Sequence, residues 1–140
     1  MVNLTCAWCF IANMTILNIE WPDGNSQYYG TVVNTTNLKI NGTFPNSRYF
    51  SYELYSLDTW EPFWDIHDNE IINDVNPYSN PNIMYNHSIY YDVELDIKDK
   101  KENTTNYIIL YRIYLGENNT GGVNLPNIYT YSNENNGSWN

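Results

Sequence analysis

The stretch Asn106-Tyr-Ile-Ile-Leu-Tyr-Arg-Ile-Tyr-Leu115 is apolar on both alternating sides, which predicts a β-strand at the centre of a sheet. Residues 89 to 98 instead alternate between apolar and polar or charged side chains, which predicts a half-buried strand with a charged outer face. Residues 99 to 105 form a polar connection between the two. The sequence therefore predicts that these strands pair as a hairpin that closes the domain.

Strand patterns extend outward from this hairpin to both ends of the chain. They predict strands at residues 28–34, 38–44 and 48–57 and a final strand within 123–131. The inward residues of the second and third strands are Leu38, Ile40, Phe44, Phe50, Tyr52 and Leu54. Residues 58–87 contain three prolines and predict a long irregular loop with one short strand near residues 71–72. About seven or eight strands without a helix of ordinary length predict an immunoglobulin-like β-sandwich.

The first twenty residues alternate over an unusual length. At about 3.3 Å per residue they would extend for roughly 60 Å, against about 17–20 Å for an ordinary strand. Either the segment bends into two strands of its own sandwich, or its first half completes the sheet of a neighbouring subunit by donor-strand exchange. We therefore predict an N-terminal extended strand (1–20), a sandwich domain (21–132) and a polar tail (133–140).

Donor-strand exchange assigns roles to two sets of side chains. The donor side chains are Leu4, Cys6, Trp8, Phe10 and Ala12. The acceptor groove is lined by Val93, Leu95, Ile109, Tyr111 and Ile113.

Charge and hydropathy exclude two classes of partner. The net charge is -10 with only six Lys and Arg, which argues against binding to nucleic acid or to anionic membrane surfaces. No apolar window is long enough for a membrane span. The chain is also rich in Asn and Tyr, which favour turns and strands respectively.

Acceptor triplets for N-glycosylation are frequent. Chance placement of Ser and Thr after the 24 Asn residues gives about 3 triplets, whereas the sequence contains eight. Their asparagines are Asn3, Asn13, Asn34, Asn41, Asn86, Asn103, Asn118 and Asn136. The excess predicts a glycosylated, secreted protein that works outside the cell, while an Asn- and Thr-rich composition is the competing explanation. No cofactor other than covalent glycans is expected.

Four short motifs occur in a fixed order along the chain. They are Gly42-Thr-Phe-Pro-Asn-Ser-Arg-Tyr-Phe-Ser51, Asn76-Pro-Tyr78, Tyr111-Arg-Ile-Tyr114 and Gly121-Gly-Val-Asn-Leu-Pro126. In this order the chain resembles an uncharacterised family of predicted secreted proteins, with Tyr78 in place of the usual Phe. The resemblance implies an immunoglobulin-like β fold without catalytic residues. Some members resemble subunits of extracellular fibrils built by donor-strand exchange.

Other chemistry-bearing residues have ordinary structural explanations. Cys6 and Cys9 have the spacing of a redox or zinc motif, but they lack the helix start or the additional ligands, so structural thiols are expected. Four acids in residues 65–74 lack the spacing of a calcium loop, which favours a solvated loop and no metal site. Trp60, Trp64 and Tyr90 are candidates either for sugar stacking or for packing. We predict that the protein is not an enzyme.

Arg112 is the single charge in the predicted central strand. A partly buried guanidinium needs a carboxylate or carbonyl partner. We therefore predict a structural role, in which Arg112 fastens the 58–87 loop to the sheet through Asp65, Asp68 or Asp74.

Two functions follow from these patterns. The first is a structural subunit of an extracellular, N-glycosylated filament that contains many copies of this chain joined by donor-strand exchange. The second is a monomeric secreted adhesion or carbohydrate-binding domain whose N-terminal strand pairs in its own sheet. The pairing of residues 3–12 separates them.

Overall fold

The computed structural model describes residues 9–10, 26–33, 37–96 and 106–131. Within these ranges the chain is all-β, with eight strands in two antiparallel sheets and one 3-10 turn, Asp68–Glu70. The strands are β1 (Cys9–Phe10), β2 (Ser26–Val33), β3 (Asn37–Thr43), β4 (Tyr49–Ser56), β5 (Pro62–His67), β6 (Tyr90–Asp96), β7 (Tyr107–Tyr114) and β8 (Asn127–Tyr131). The predicted tail 133–140 and most of the predicted segment 1–20 lie outside the described residues.

Strand β7 is the centre of the larger sheet, as its sequence predicts. The order of that sheet is β1-β2-β7-β4-β5, and β7 pairs along its whole length with β2 and β4. Ile109 on one face and Ile108 on the other are both completely buried. Both apolar faces of β7 are therefore buried, Ile109 in the main core and Ile108 in a second cluster.

The main core lies between the larger sheet and the three-stranded sheet β6-β3-β8. The rings of Tyr52 and Tyr111 stack with centroids 4.7 Å apart, and the Tyr52 hydroxyl is hydrogen-bonded to the Tyr91 hydroxyl of the smaller sheet. The predicted inward residues Leu38, Ile40, Phe44, Phe50, Tyr52 and Leu54 are all buried in this core. The two faces of β3 and β4 are thus as predicted, and the two sheets have a sandwich-like arrangement.

The predicted hairpin is wrong. Strand β6 pairs with β3 in the smaller sheet, whereas β7 pairs with β2 and β4 in the larger one. The seven-residue polar connection 99–105 is longer than a tight hairpin turn, so it does not force consecutive strands to pair. In addition, both neighbours of β7 are already provided by β2 and β4.

The 58–87 segment is more ordered than its sequence predicts. Strand β5 lies at the edge of the larger sheet and pairs with β4, where the sequence predicted only irregular chain. Pro62 gives the irregular signal, but proline is tolerated at the first residue of an edge strand. The short strand predicted at residues 71–72 is not formed, since Ile71 ends the 3-10 turn and Ile72 is exposed. The last strand, β8, begins four residues later than the predicted stretch 123–131.

The paired glycines at 121 and 122 lie in a tight turn, and both have positive φ, at 77° and 76°. A Cβ on Gly121 would lie 2.3 Å from the Cβ of Pro45. A Cβ on Gly122 would lie 2.6 Å from Glu117 Oε2, which is the end of a movable side chain. The first glycine is therefore required by packing as well as by backbone conformation.

We expect Gly121→Ala to lower the free energy of unfolding by about 3 kcal/mol, because the left-handed backbone costs about 1–2 kcal/mol and the overlap with Pro45 a further 1–3 kcal/mol. Gly122→Ala is the matched control and should cost about 1–2 kcal/mol, because the hydrogen bonds that Glu117 gives up when it moves are exposed and water replaces them. Urea unfolding followed by tryptophan fluorescence measures both. Equal losses in the two variants would contradict the role assigned to Pro45.

Candidate functional site

The N-terminal segment pairs at the edge of the larger sheet. Cys9 lies opposite Gly30 and Phe10 opposite Tyr29, in antiparallel register with β2. Among the described residues this pairing is two residues long, whereas β2 has eight residues. The edge of β2 is therefore where the N-terminal segment joins the sheet.

The predicted donor and acceptor residues differ in what the structure describes. The donors Leu4, Cys6, Trp8 and Ala12 lie outside the described residues. The five predicted acceptor residues, Val93, Leu95, Ile109, Tyr111 and Ile113, are brought together in one buried cluster between the sheets. Tyr29, which lies opposite Phe10 in the register, belongs to the same cluster.

The outer face of the larger sheet carries a second apolar cluster. Ile108 and Leu110 are buried there against Tyr28, Tyr55, Leu57 and Trp60. Burial and a hydrogen bond to Glu53 raise the pKa of Tyr55. Trp60 is thus a packing residue, and Trp64 likewise packs against the main core. Of the three aromatic residues considered for sugar stacking, Tyr90 is the exposed one, at 65%.

Arg112 lies on the same outer face, among aromatic rings. Its guanidinium carbon is 5.3 Å from the ring centroid of Tyr49 and 5.9 Å from those of Tyr28 and Tyr114, which is cation–π distance. Its Nε donates to Ser26 Oγ at 3.1 Å. These contacts join β2, β4 and β7. The sequence predicted that Arg112 fastens the 58–87 loop through Asp65, Asp68 or Asp74. Its cation–π contacts and its hydrogen bond to Ser26 are made instead to residues of the three strands.

Within the 58–87 loop, the completely buried side chain of Asn76 joins three positions of the loop to one another. Its Nδ2 donates to the carbonyls of Asp68 and Ile71, both at 2.9 Å, and its Oδ1 accepts from the N–H of Tyr78 at 2.8 Å. Sequence reasoning missed this residue, although the Asn76-Pro-Tyr78 motif pointed to its position.

The carboxylate of Asp68 holds the start of the same loop. It is buried and accepts from the N–H of Phe50 at 3.1 Å and from that of Asn69 at 2.6 Å. Burial raises the pKa of Asp68, and the two N–H donors partly oppose that rise. Asp68 is therefore not part of a solvated acidic loop. Within the described residues no group of three or more potential ligands that could hold a metal ion is found.

Residues of all four motifs meet around the 45–48 turn. Tyr78 donates its hydroxyl hydrogen bond to the carbonyl of Pro45 and contacts Ser47. The N–H of Asn46 donates to the carbonyl of Gly121 at 2.8 Å. The N–H of Arg48 donates to the carbonyl of Tyr114 at 3.1 Å. The motifs therefore occupy one structural junction at one end of the sandwich.

An open, mostly polar cleft of about 500 Å³ lies beside this junction. It is lined by Thr43, His87, Tyr90, Asn118, Thr120, Gly122, Val123 and Asn124. Thr43 and Tyr90 are opposite each other in β3 and β6, so one wall is strand and the other is the 117–124 turn. Sequence reasoning named Tyr90 and Asn118 separately but did not bring them together.

Hydrogen bonds hold the turn in place. His87 Nε2 lies 2.9 Å from Glu117 Oε2, and Asn46 Nδ2 donates to the same oxygen at 3.1 Å. The hydrogen bonds from His87 and from Asn46 lower the pKa of the Glu117 carboxyl. The Tyr29 hydroxyl donates to the carbonyl of Asn119 at 2.8 Å. The turn that carries Asn118 is thus tied to β2 and to both neighbouring loops.

Three of the eight predicted glycosylation asparagines are described. Asn86 and Asn118 are exposed, and Asn118 has a φ of 52°. Asn41 is partly exposed on the outer side of β3, where its Nδ2 donates to Asp92 at 2.7 Å. Asn3, Asn13, Asn34, Asn103 and Asn136 lie outside the described residues.

Comparison with known proteins returns no match among family models, curated proteins or solved structures. The part of the chain that the structure describes contains no helix with the length and hydrophobicity of a membrane span.

Proposed function

We propose that the chain is a structural subunit of an extracellular, N-glycosylated filament, in which immunoglobulin-like sandwiches are joined by donor-strand exchange. The observation that supports this is the position of β1 as the outermost strand of the larger sheet, at the edge of β2. An edge strand offers unpaired backbone groups to a further strand, whether from its own chain or from another. In the filament, β1 of one copy pairs with β2 of the next.

The distance along the chain between the two strands supports the exchange. Fifteen residues, 11–25, separate β1 from β2, whereas a hairpin usually needs two to five. Fully extended, such a segment spans about 50 Å, enough to reach a neighbouring copy. Exchange then replaces contacts within one chain by the same contacts between chains, and a head-to-tail contact that does not close produces a filament.

Glycosylation is the second part of the proposal. The excess of acceptor triplets is its main support, together with the exposure of Asn86 and Asn118. A glycan on Asn41 is compatible with the hydrogen bond to Asp92, because a glycosylated Nδ2 keeps one N–H. Glycans on these residues coat the filament. The proposed function is not enzymatic.

The second candidate is a monomeric secreted adhesion or carbohydrate-binding domain. The pairing of β1 with β2 within one chain favours it, as does the open polar cleft beside the exposed ring of Tyr90. The two candidates differ in which copy of β2 receives β1.

A cysteine pair placed across β1 and β2 distinguishes them. In a chain carrying Cys6→Ser and Gly30→Cys, oxidation of concentrated protein should give a ladder of covalent oligomers on a non-reducing gel. The reason is that opposed Cα atoms of an antiparallel pair are about 4.5–5.5 Å apart, within the range for a disulfide. The control Val32→Cys moves the thiol two positions along β2 and should give little product.

Exclusive cross-linking within one chain, or no cross-link in either variant, would remove the filament proposal. Electron microscopy provides the independent measurement. The full chain should form filaments, whereas a chain that lacks residues 1–12 should not. A full chain that remains monomeric at high concentration would favour the second candidate.

A further inference from the structure

Of the three described acceptor asparagines, Asn118 is the one that lines the cleft. Asn118 and Thr120, its first and third residues, both line the cleft, whereas Asn86 is exposed but does not line it. The cleft's volume of about 500 Å³ lies within the usual range of about 300–1,000 Å³ for ligand pockets. A sugar attached to Asn118 would therefore begin at the wall of a cleft large enough to hold it.

The lining has the chemistry that a sugar needs. Tyr90 presents an exposed ring, and an aromatic face packs against the apolar face of a pyranose ring. Its backbone is held by pairing with Thr43 and by Asn73, whose Nδ2 donates to the Tyr90 carbonyl at 2.6 Å. Thr43, Thr120 and Asn124 line the same cleft, and their hydroxyl and amide groups can form hydrogen bonds with sugar hydroxyls.

We propose that this cleft seats the sugars nearest to the linkage of a glycan on Asn118, with Tyr90 as their stacking surface. The inference rests on the glycosylation included in the proposed function. The Asn118 Nδ2 bonds to the anomeric carbon of a lipid-diphosphate-linked oligosaccharide. The lipid diphosphate leaves from that carbon, and Nδ2 loses one proton and keeps the other.

Covalent attachment to Asn118 allows the cleft to hold a sugar for which its affinity is low. A covalently tethered ligand has an effective concentration in the millimolar range, so contacts that would not retain a free sugar hold an attached one. The turn is already fixed by the bonds of Glu117 to His87 and Asn46, so little chain must be ordered when the sugar docks. The occupant favoured by these observations is the chain's own glycan rather than a sugar from another molecule.

Timed deglycosylation of the folded, secreted protein tests the proposal. A peptide N-glycosidase should release the Asn118 glycan about tenfold more slowly than the Asn86 glycan of the same molecules, as measured by peptide mass mapping. Tyr90→Ala should remove most of this difference. Tyr129→Ala, on β8 and outside the cleft, is the matched control and should leave it unchanged. In denatured protein the two sites should react alike.

Equal release rates at the two sites in folded protein would overturn the proposal, as would an Asn118 that carries no glycan while Asn86 does. Binding of a free oligosaccharide to such a chain would then assign the cleft to sugars of another molecule. An Asn118 without a glycan in a protein that is glycosylated elsewhere overturns this inference alone. If no glycan is found at any of the eight acceptor asparagines, the glycosylated character of the proposed filament fails together with this inference. Filament formation by electron microscopy remains a separate result in every case.

Discussion

Replacing Asn76 by Ala should lower the free energy of unfolding by about 4 kcal/mol. The substitution removes three hydrogen bonds from a completely buried side chain and leaves the carbonyls of Asp68 and Ile71 and the N–H of Tyr78 without their partner. Each unsatisfied buried group costs about 1–3 kcal/mol. Because a domain of this size is stable by about 5–15 kcal/mol, the loss is a large share of the total.

Asn73→Ala is the matched control for this prediction. Asn73 lies in the same loop and also makes two side-chain hydrogen bonds, but these are exposed, so water replaces them. Its loss should be about 1 kcal/mol or less. Urea unfolding measures both variants, and limited proteolysis should show faster cleavage within 71–86 in Asn76→Ala alone. Similar free energies of unfolding for the two variants would contradict the role of Asn76 in joining these positions of the loop.

The buried tyrosines should make the protein unfold in alkali. Tyr52, Tyr91 and Tyr111 are buried, each at most 3% exposed, and desolvation by burial raises the pKa of each well above its ordinary value of about 10. Below pH 10 both folded and unfolded chains keep these protons. Above pH 10 the unfolded chain releases protons that the folded chain retains, so the free energy of unfolding falls as the pH rises towards the folded pKa values.

The expected effect is about 1.4 kcal/mol per pH unit for each retained proton, or about 4 kcal/mol per pH unit for the three together. Circular dichroism and tyrosinate absorbance, followed across pH 9 to 12, should therefore show cooperative unfolding within about one to two pH units above 10. Tyr91→Phe removes one retained proton and should reduce the slope by about 1.4 kcal/mol per pH unit. Tyr90→Phe changes an exposed ring and should leave the slope unaltered. A folded protein whose tyrosines all titrate near pH 10 would refute this prediction.

The strands and their faces follow from local pattern. Leu38, Ile40 and Phe44 alternate with polar residues in β3, and the sequence assigns their inward face correctly because alternation is a property of neighbouring residues. Strand β5 was missed because the proline that begins it is also a loop signal. Proline is tolerated there because β5 is an edge strand, and whether a strand lies at an edge depends on the arrangement of the other strands in the sheet.

The candidate site follows from sequence only in its separate parts. Acceptor triplets, the exposed Tyr90 and the Gly121-Gly122 pair are all visible in the sequence. The cleft that both Asn118 and Tyr90 line is not, because the two residues are 28 positions apart and the cleft forms only when the 117–124 turn lies beside β3 and β6. Arg112 shows the same limit: its partly buried position was predicted, but its ring partners come from β2, β4 and β7 together.

The sequence by itself determined that the described part of the chain is all-β, which residues of β3 and β4 face the core, and that β7 is apolar on both faces. These properties depend on side chains one or two positions apart. Only the tertiary structure decided that consecutive strands β6 and β7 belong to different sheets. It also decided that Asn76 joins residues 68, 71 and 78 within the long loop, and that the Asp68 carboxylate accepts from the N–H of Phe50 in β4. Which strands pair, and which groups satisfy a buried polar side chain, depends on segments that are far apart in the sequence. Such distant contacts produce no local periodicity, so the sequence pattern does not predict them.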